Sequence, residues 1–272
     1  MISVHTLIDD ALPRPRRAEH GLSLWVEVST PSGHAHRFLL DSGQRPDVLI
    51  QNAFQAKVDL TLATAVVLSH GHYDHTGGLP ALSGAHINCP VFVGPDAERR
   101  RFSTQVGIAA SGRKMLKPIG MPRPDALEAL NVHRVTGIVC VSDALTLFTL
   151  PSAAPPNPRL LAADGLSPDT FSDEVFALIS DGERTLLFGG CTHHGLPMLL
   201  DFVFGTMAVP SVDCFVGGLH LQGRSDDEVR AVADIAARYP VAAYAPIHCS
   251  GAAAQDLWHE RFRVVQDFDF CL

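Results

Sequence analysis

Ser69-His70-Gly71-His72-Tyr73-Asp74-His75-Thr76-Gly77-Gly78 stands directly behind the apolar run Ala65-Val66-Val67-Leu68 and places three imidazoles and one carboxylate within six residues. These side chains are ligands for first-row metals. The apolar run reads as a short buried strand. At its exit His70 and His72 project to the same side, while Asp74 and His75 fall on the following tight turn, where they can face a second ion. Solvated histidines in a polar loop are the ordinary alternative; the flanking glycines and the close spacing favour metal.

On the N-terminal side of this string, Ile2 to Ile8 reads as a strand. Leu22 to Val28 and Arg37 to Asp41 read as a hairpin turned at Pro31-Ser32-Gly33. On the C-terminal side, Pro90 to Gly94 and Leu145 to Leu150 are strand-like, and Glu174 to Ile179 pairs with Thr185 to Phe188 around the Asp181-Gly182 turn. The last third alternates a helix from His194 to Gly205, a strand Cys214 to Val216, a helix Asp226 to Arg238 capped by Ser225, and a strand Ala242 to Ala245. That is a βαβ rhythm. No repeat or linker divides the chain, so residues 1–272 are expected to form one α/β domain. Two segments stand out: a basic insertion over 97–134, broken by glycines and prolines and expected to be mobile, and a proline-rich loop over 151–172, long enough to act as a lid.

Composition narrows the function classes. At 272 residues, 46% hydrophobic and 18% charged, the chain can bury a core and is not a disordered or disulfide-dense miniprotein. No apolar run approaches the roughly 20 residues needed to span a bilayer, and the first residues carry no export segment, so no membrane partner and a cytoplasmic address are expected. The six cysteines form no CxxC pair, which argues for reduced thiols. A net charge of −8 disfavours a general nucleic-acid binder. The charge is uneven: residues 97–134 hold eight basic residues against three acidic ones, a local net of +5.

His-x-His-x-Asp-His behind an apolar strand resembles the metallo-β-lactamase fold superfamily. The resemblance implies an αββα sandwich and one or two divalent metals, zinc foremost, with iron, manganese or magnesium as alternatives. It makes Asp41, in Leu39-Leu40-Asp41-Ser42-Gly43, a residue that orients a metal-binding histidine. Where the superfamily usually carries a bridging aspartate, Leu187-Phe188-Gly189-Gly190-Cys191-Thr192-His193-His194 offers Cys191; a small buried cysteine at a strand end is its plain alternative. The histidine expected between the first cluster and this strand is absent, and His193 is the nearest substitute. The last ligand falls on His248, in Ala245-Pro246-Ile247-His248-Cys249-Ser250-Gly251. His220, in Gly217-Gly218-Leu219-His220-Leu221, takes a pocket position and joins Asp74 as a candidate catalytic group, although a satisfied buried histidine is its plain reading.

These strings, with Ala18-Glu19-His20-Gly21-Leu22-Ser23, occur together from residue 18 to residue 251 and resemble the dihydropterin ribofuranosylaminobenzene phosphate synthase-like branch. That branch implies a metal-dependent enzyme acting on a small phosphorylated or pterin-like substrate, by hydrolysis or by alkyl transfer with loss of diphosphate. In both the metal is a Lewis acid. Glu19, His20, Arg99 and Arg113 are the candidate substrate contacts, the arginines because a guanidinium fork suits phosphate. A solvated charge run is the plain alternative for the basic segment. The competing function is a binding or sensor module with an inert or partly filled metal site, for which the missing middle histidine is the argument.

Overall fold

The computed structural model describes residues 1–85, 87–108 and 114–272, so the expectation for Arg113 lies outside the described residues. Its first half contributes strands β1 (Ile2–Ile8), β2 (Ser23–Ser29), β3 (Ala35–Leu40), β4 (Ala65–Val67), β5 (Pro90–Val93), β6 (Phe102–Ile108), β7 (Lys114–Pro118) and β8 (Asn131–Arg134). The second half adds β9 (Ile138–Cys140), β10 (Leu145–Thr149), β11 (Leu160–Leu161), β12 (Val175–Ser180), β13 (Thr185–Gly189), β14 (Cys214–Gly217), β15 (Tyr244–Pro246) and β16 (Asp269–Cys271). One sheet has the order β16-β1-β2-β3-β4-β5-β8, and a second has the order β15-β14-β13-β12-β10-β9.

Strand alternation sorts the apolar side chains into layers. Leu24, Val26, Val28, Phe38, Leu40 and Val67 of the first sheet meet Val175, Ala177, Ile179, Leu186, Phe188 and Val216 of the second in the central core. The residues between them point the other way. Trp25, Leu39 and Val66 lie under α1 (Pro46–Gln55), which contributes Val48 and Leu49. Beyond the one-turn α2 (Tyr73–Thr76), α3 (Leu79–Gly84) adds Leu79 and Leu82 to that outer layer. Phe176, Leu187 and Phe215 lie under α4 (Leu196–Asp201), α5 (Asp226–Ala236) and α6 (Ala252–Arg261). The result is an αββα sandwich. Strands buried on both faces explain why the sequence shows continuous apolar runs there.

β3, β4, β5 and β8 are parallel neighbours, as are β13, β14 and β15. The carboxyl ends of β3, β4, β13, β14 and β15, where α/β folds place ligands, each feed a loop of the candidate site. Most element boundaries match the sequence expectations. The helix expected from His194 to Gly205 ends as α4 at Asp201 and passes into a wider, π-helical turn over Phe202–Thr206. α5 carries the full capping box, Ser225 with Glu228.

The insertion is strand-rich in its described residues: β6 and β7 pair antiparallel and are joined by β11 of the proline-rich loop into a third sheet, and β8 returns to the first sheet. Arg101 fixes this roof. Its side chain is 1% exposed, with Nε 2.6 Å from Asp169 Oδ2, a terminal nitrogen 2.5 Å from Asp173 Oδ1, and another donating to Ala97 O at 3.0 Å. Asp173 Oδ2 in turn accepts the Gly71 N–H at 2.7 Å, which ties the roof to the histidine string. Glycines and prolines broke the local pattern, but the pairing that orders the segment runs across strands and leaves no local signature.

Candidate metal centre

Every loop of the site leaves the sandwich at the same edge. β3 leads into Asp41, β4 into Ser69 and His70, β13 into Cys191 and His193, β14 into His220, and β15 into His248. Asp41, Thr192, His220 and His248 hold φ between 51° and 58°, a left-handed conformation that costs non-glycine residues about 1–3 kcal/mol each and collects at functional sites. The glycines beside them permit the close approach. A Cβ on Gly190 would lie 2.1 Å from Ser69 Oγ, and one on Gly218 would lie 2.4 Å from Cys249 Sγ.

Supporting groups turn each imidazole. Asp41 Oδ1 accepts the Ser69 N–H at 2.7 Å, and its Oδ2 receives the Ser69 hydroxyl and His75 Nδ1–H, each at 2.7 Å. His70 Nδ1 sits 3.0 Å from Ser69 Oγ. His248 Nδ1 donates to Asp10 Oδ1 at 2.8 Å. With Nδ1 so used, Nε2 of His70, His75 and His248 is left as a lone-pair donor facing the centre. Glu174 braces the opposite loop, accepting the N–H groups of His193 at 2.7 Å and His194 at 3.0 Å, and His194 Nδ1 at 2.5 Å.

Two groups of three donors result, His70–Cys191–His193 and His75–Cys191–His248, each with its ligand atoms within 4.8 Å of one another, and both share the sulfur of Cys191. His70 Nε2 is 3.2 Å from His193 Nε2, and Cys191 Sγ is 3.2 Å from His75 Nε2. A third group, Cys191–His220–Cys249, adjoins them. His72 borders the first group, its ring 4.5 Å from that of His70 and 5.0 Å from that of His193. Asp74 borders the second, with Oδ2 3.6 Å from His248 Nε2 and 3.1 Å from His20 Nε2.

The donor set fits a divalent cation. His72 Nε2, Asp74 Oδ1, His220 Nδ1 and His248 Nε2 are buried without a hydrogen-bond partner, and such orphaned atoms call for a ligand or ion. Burial pulls His72 down to about 3, and burial with neighbouring imidazoles holds His70 and His193 well below the ordinary range, so all three are neutral donors. Burial pushes the Cys191 thiol up; a thiolate there needs a cation beside it. Burial opposes ionisation of Asp74, but His75, His20 and His248 outweigh it and hold the carboxyl well below its usual range. Hydrogen bonds to Asp10 and Asp74 raise His20 to about 10 against the effect of burial.

Above these groups lies a cavity of about 240 Å³, lined by His20, Tyr73, His220, Gln222 and, from the roof, Ser103, Gln105, Lys117 and Leu160. Lys117 Nζ stands 3.4 Å from the Tyr73 hydroxyl and 5.1 Å from its ring centre. Phe171 of the proline-rich loop stacks on His193 with ring centres 3.7 Å apart.

The expected substrate contacts separate here. His20 lines the cavity. Glu19 does not: its side chain is 8% exposed, and Oε1 accepts the N–H groups of Gln44 and Arg45. Arg99 also faces elsewhere, bonded to Asp96 and Ser172. Sequence reasoning passed over Asp10, Glu174, Cys249 and Lys117. Asp10 offered only a local cue, an acid just past the exit of β1, and its partner His248 is 238 positions away.

A sandwich with metal-competent side chains on the carboxyl edge of its parallel strands defines a class, and the sequence comparison agrees: residues 36–203 match the beta-lactamase superfamily domain, and the chain belongs to that superfamily. Among its relatives is the 7,8-dihydropterin-6-methyl-4-(β-D-ribofuranosyl)-aminobenzene-5'-phosphate synthase of Methanocaldococcus jannaschii, 23% identical over 98% of this chain and 93% of the relative. Tm1679, described as a metal-dependent hydrolase of the β-lactamase superfamily, superposes with a TM-score of 0.81 at 24% identity over 100% of this chain and 99% of its own. Zinc-bound PqqB from Methylobacterium extorquens superposes with a TM-score of 0.53 at 14% identity, over 99% and 100%. Among the described residues no helix is long and apolar enough to cross a membrane.

Proposed function

We propose that the chain is a divalent metal-dependent enzyme acting on a small phosphorylated or pterin-like molecule, by hydrolysis or by alkyl transfer with release of diphosphate. The observation that carries this reading is the convergence of His70, His193, His75 and His248 on the shared sulfur of Cys191 beneath an open cavity. His70, His72, Cys191 and His193 would hold one cation, and Asp74, His75, Cys191 and His248 a second. Bound there, the metal supplies Lewis acidity and neutralises charge on a phosphoryl or diphosphate oxygen; nitrogen and sulfur donors favour zinc, and Asp74 leaves room for iron, manganese or magnesium.

The chain's own residues do the rest. Lys117, for which no carboxylate partner is found among the described residues, offers its ammonium to an anionic group entering from the roof side. His20, held cationic by Asp10 and Asp74, which take both of its ring N–H groups, places a positive charge at the cavity wall that attracts an anionic substrate group. His220 presents an unpaired Nδ1 beside the reacting region, suited to holding or taking a proton. His193 next to His70 supports this reading over an inert binding module.

The test is to supply candidate pterin and ribosyl substrates with and without their phosphate groups, and to follow phosphate and diphosphate release separately. Turnover abolished by a chelator and restored by metal, with a preference for the phosphorylated form, is expected. Metal bound at full stoichiometry with no turnover on any phosphorylated substrate would overturn it.

A further inference from the structure

We infer that His34, His36 and Asp143 form a second, peripheral site for a divalent transition-metal ion, which joins the two sheets at the end of the sandwich away from the candidate centre. His36 lies in β3 and His34 in the turn that leads into it; Asp143 lies in the turn between β9 and β10, on the other sheet. From His36 to Asp41 the strand runs five residues at roughly 3.3 Å each, so about 17 Å separate the two sites.

His34 Nδ1 is 3.2 Å from Asp143 Oδ2 and His36 Nε2 is 2.8 Å from Asp143 Oδ1, so each carboxylate oxygen faces its own imidazole. The three ligand atoms lie within 4.8 Å of one another. An ordinary ion pair would align each N–H on its oxygen. The His36 contact does not: it is short, yet buried Nε2 has no hydrogen-bond partner, because the carboxylate stands beside the nitrogen rather than in front of it. His34 Nδ1 does bond to Asp143 Oδ2, so the unspent direction is that of His36 Nε2, which an ion held among the three groups would take. The Ser32 hydroxyl, 3.3 Å from both His34 Nδ1 and Asp143 Oδ2, is the other polar neighbour.

Two imidazoles and one carboxylate suit zinc, cobalt, nickel or copper; calcium and magnesium prefer oxygen throughout. The side chain of His34 is 67% exposed and that of Asp143 43%, so water can complete the coordination. Because the ligands come from different sheets, an ion held here binds only the folded chain and stabilises it by mass action.

Zinc alone is the probe. Full-length protein and its His34→Ala, His36→Ala and Asp143→Asn variants are dialysed to equilibrium against zinc, and the histidine ring nitrogens of the parent are followed by NMR. Each variant is expected to bind one equivalent fewer than the parent and to lose part of the zinc-dependent rise in melting temperature, while the His34 and His36 ring signals of the parent shift on saturation. Equal stoichiometry in the parent and all three variants, or ring signals that stay in place at saturating zinc, overturns the site. His34→Ala, at an exposed position, keeps the test valid should His36→Ala fail to fold. The readout is a difference between parent and variant, so loss of metal from the Cys191 cluster is scored separately, in His75→Ala.

Discussion

Histidines and carboxylates meet at both ends of the sandwich, and burial separates the two meetings. At the carboxyl ends of the parallel strands, His70 and His75 have no exposure, and each spends one ring nitrogen on a dedicated partner, Ser69 or Asp41. Water cannot satisfy the nitrogens that remain. At the far end, His34 and Asp143 are open to solvent, which hydrates them whether or not an ion is present. The same residue types therefore make a centre on which the local structure depends at one end, and a site filled according to metal concentration at the other.

The largest expected effect tests that dependence. His75→Ala and His248→Ala should remove metal from their half of the cluster and lower turnover by more than the roughly 10–100-fold that losing a supporting partner costs. Metal analysis with turnover of a phosphorylated substrate checks it, and full stoichiometry in both variants would break the contrast between the ends.

Next in size is the roof. Arg101→Ala leaves Asp169 and Asp173 buried without their cation, a change expected to cost about 3–5 kcal/mol in urea unfolding. A loss within 1 kcal/mol, roughly that of an exposed pair, would mean that the roof is held by strand pairing alone.

The supporting carboxylates come third. Asp41→Asn and Asp10→Asn should each weaken metal binding about 10–100-fold while leaving all the ligands in place. If only Asp41→Asn has an effect, His248 holds its orientation without Asp10.

The smallest effect is in pH dependence. His20 titrates at about 10 in the folded chain against an ordinary value of 6.5, so its contribution to stability is complete below about 6.5 and is lost as pH rises through 10. In chelator-treated protein, urea midpoints of His20→Gln should decline less between pH 7 and pH 10 than those of the parent. Parallel declines would place the raised titration elsewhere.

Much of this was legible in the chain. The histidine string follows from a local pattern, because a strand exit is a short-range feature, and the resemblance to the metallo-β-lactamase superfamily added Asp41, Cys191, His193 and His248. What escaped depends on pairing between distant segments. Asp10 becomes meaningful only when β1 and β15 bring it to His248; Glu19 and Arg99 carried suitable charges but are occupied by Gln44, Arg45, Asp96 and Ser172. The pairing within the roof is hidden for the same reason: β6 pairs with β7 and with β11, 57 residues onward from Ser103 to Leu160. Of the basic residues described in the roof, Lys117 rather than Arg99 lines the cavity.

The bond between Asp10 and His248 joins residues 238 positions apart. Such closure comes late, since the chain must give up the freedom of nearly its whole length before the contact forms. The His75–Cys191–His248 half of the cluster is therefore completed only when this long closure is made, whereas the His70–Cys191–His193 half draws on residues that precede β14. During biosynthesis, the polypeptide up to β14 would emerge with the first half of the cluster made and His248 still to come, so filling of the second half reports on a finished fold.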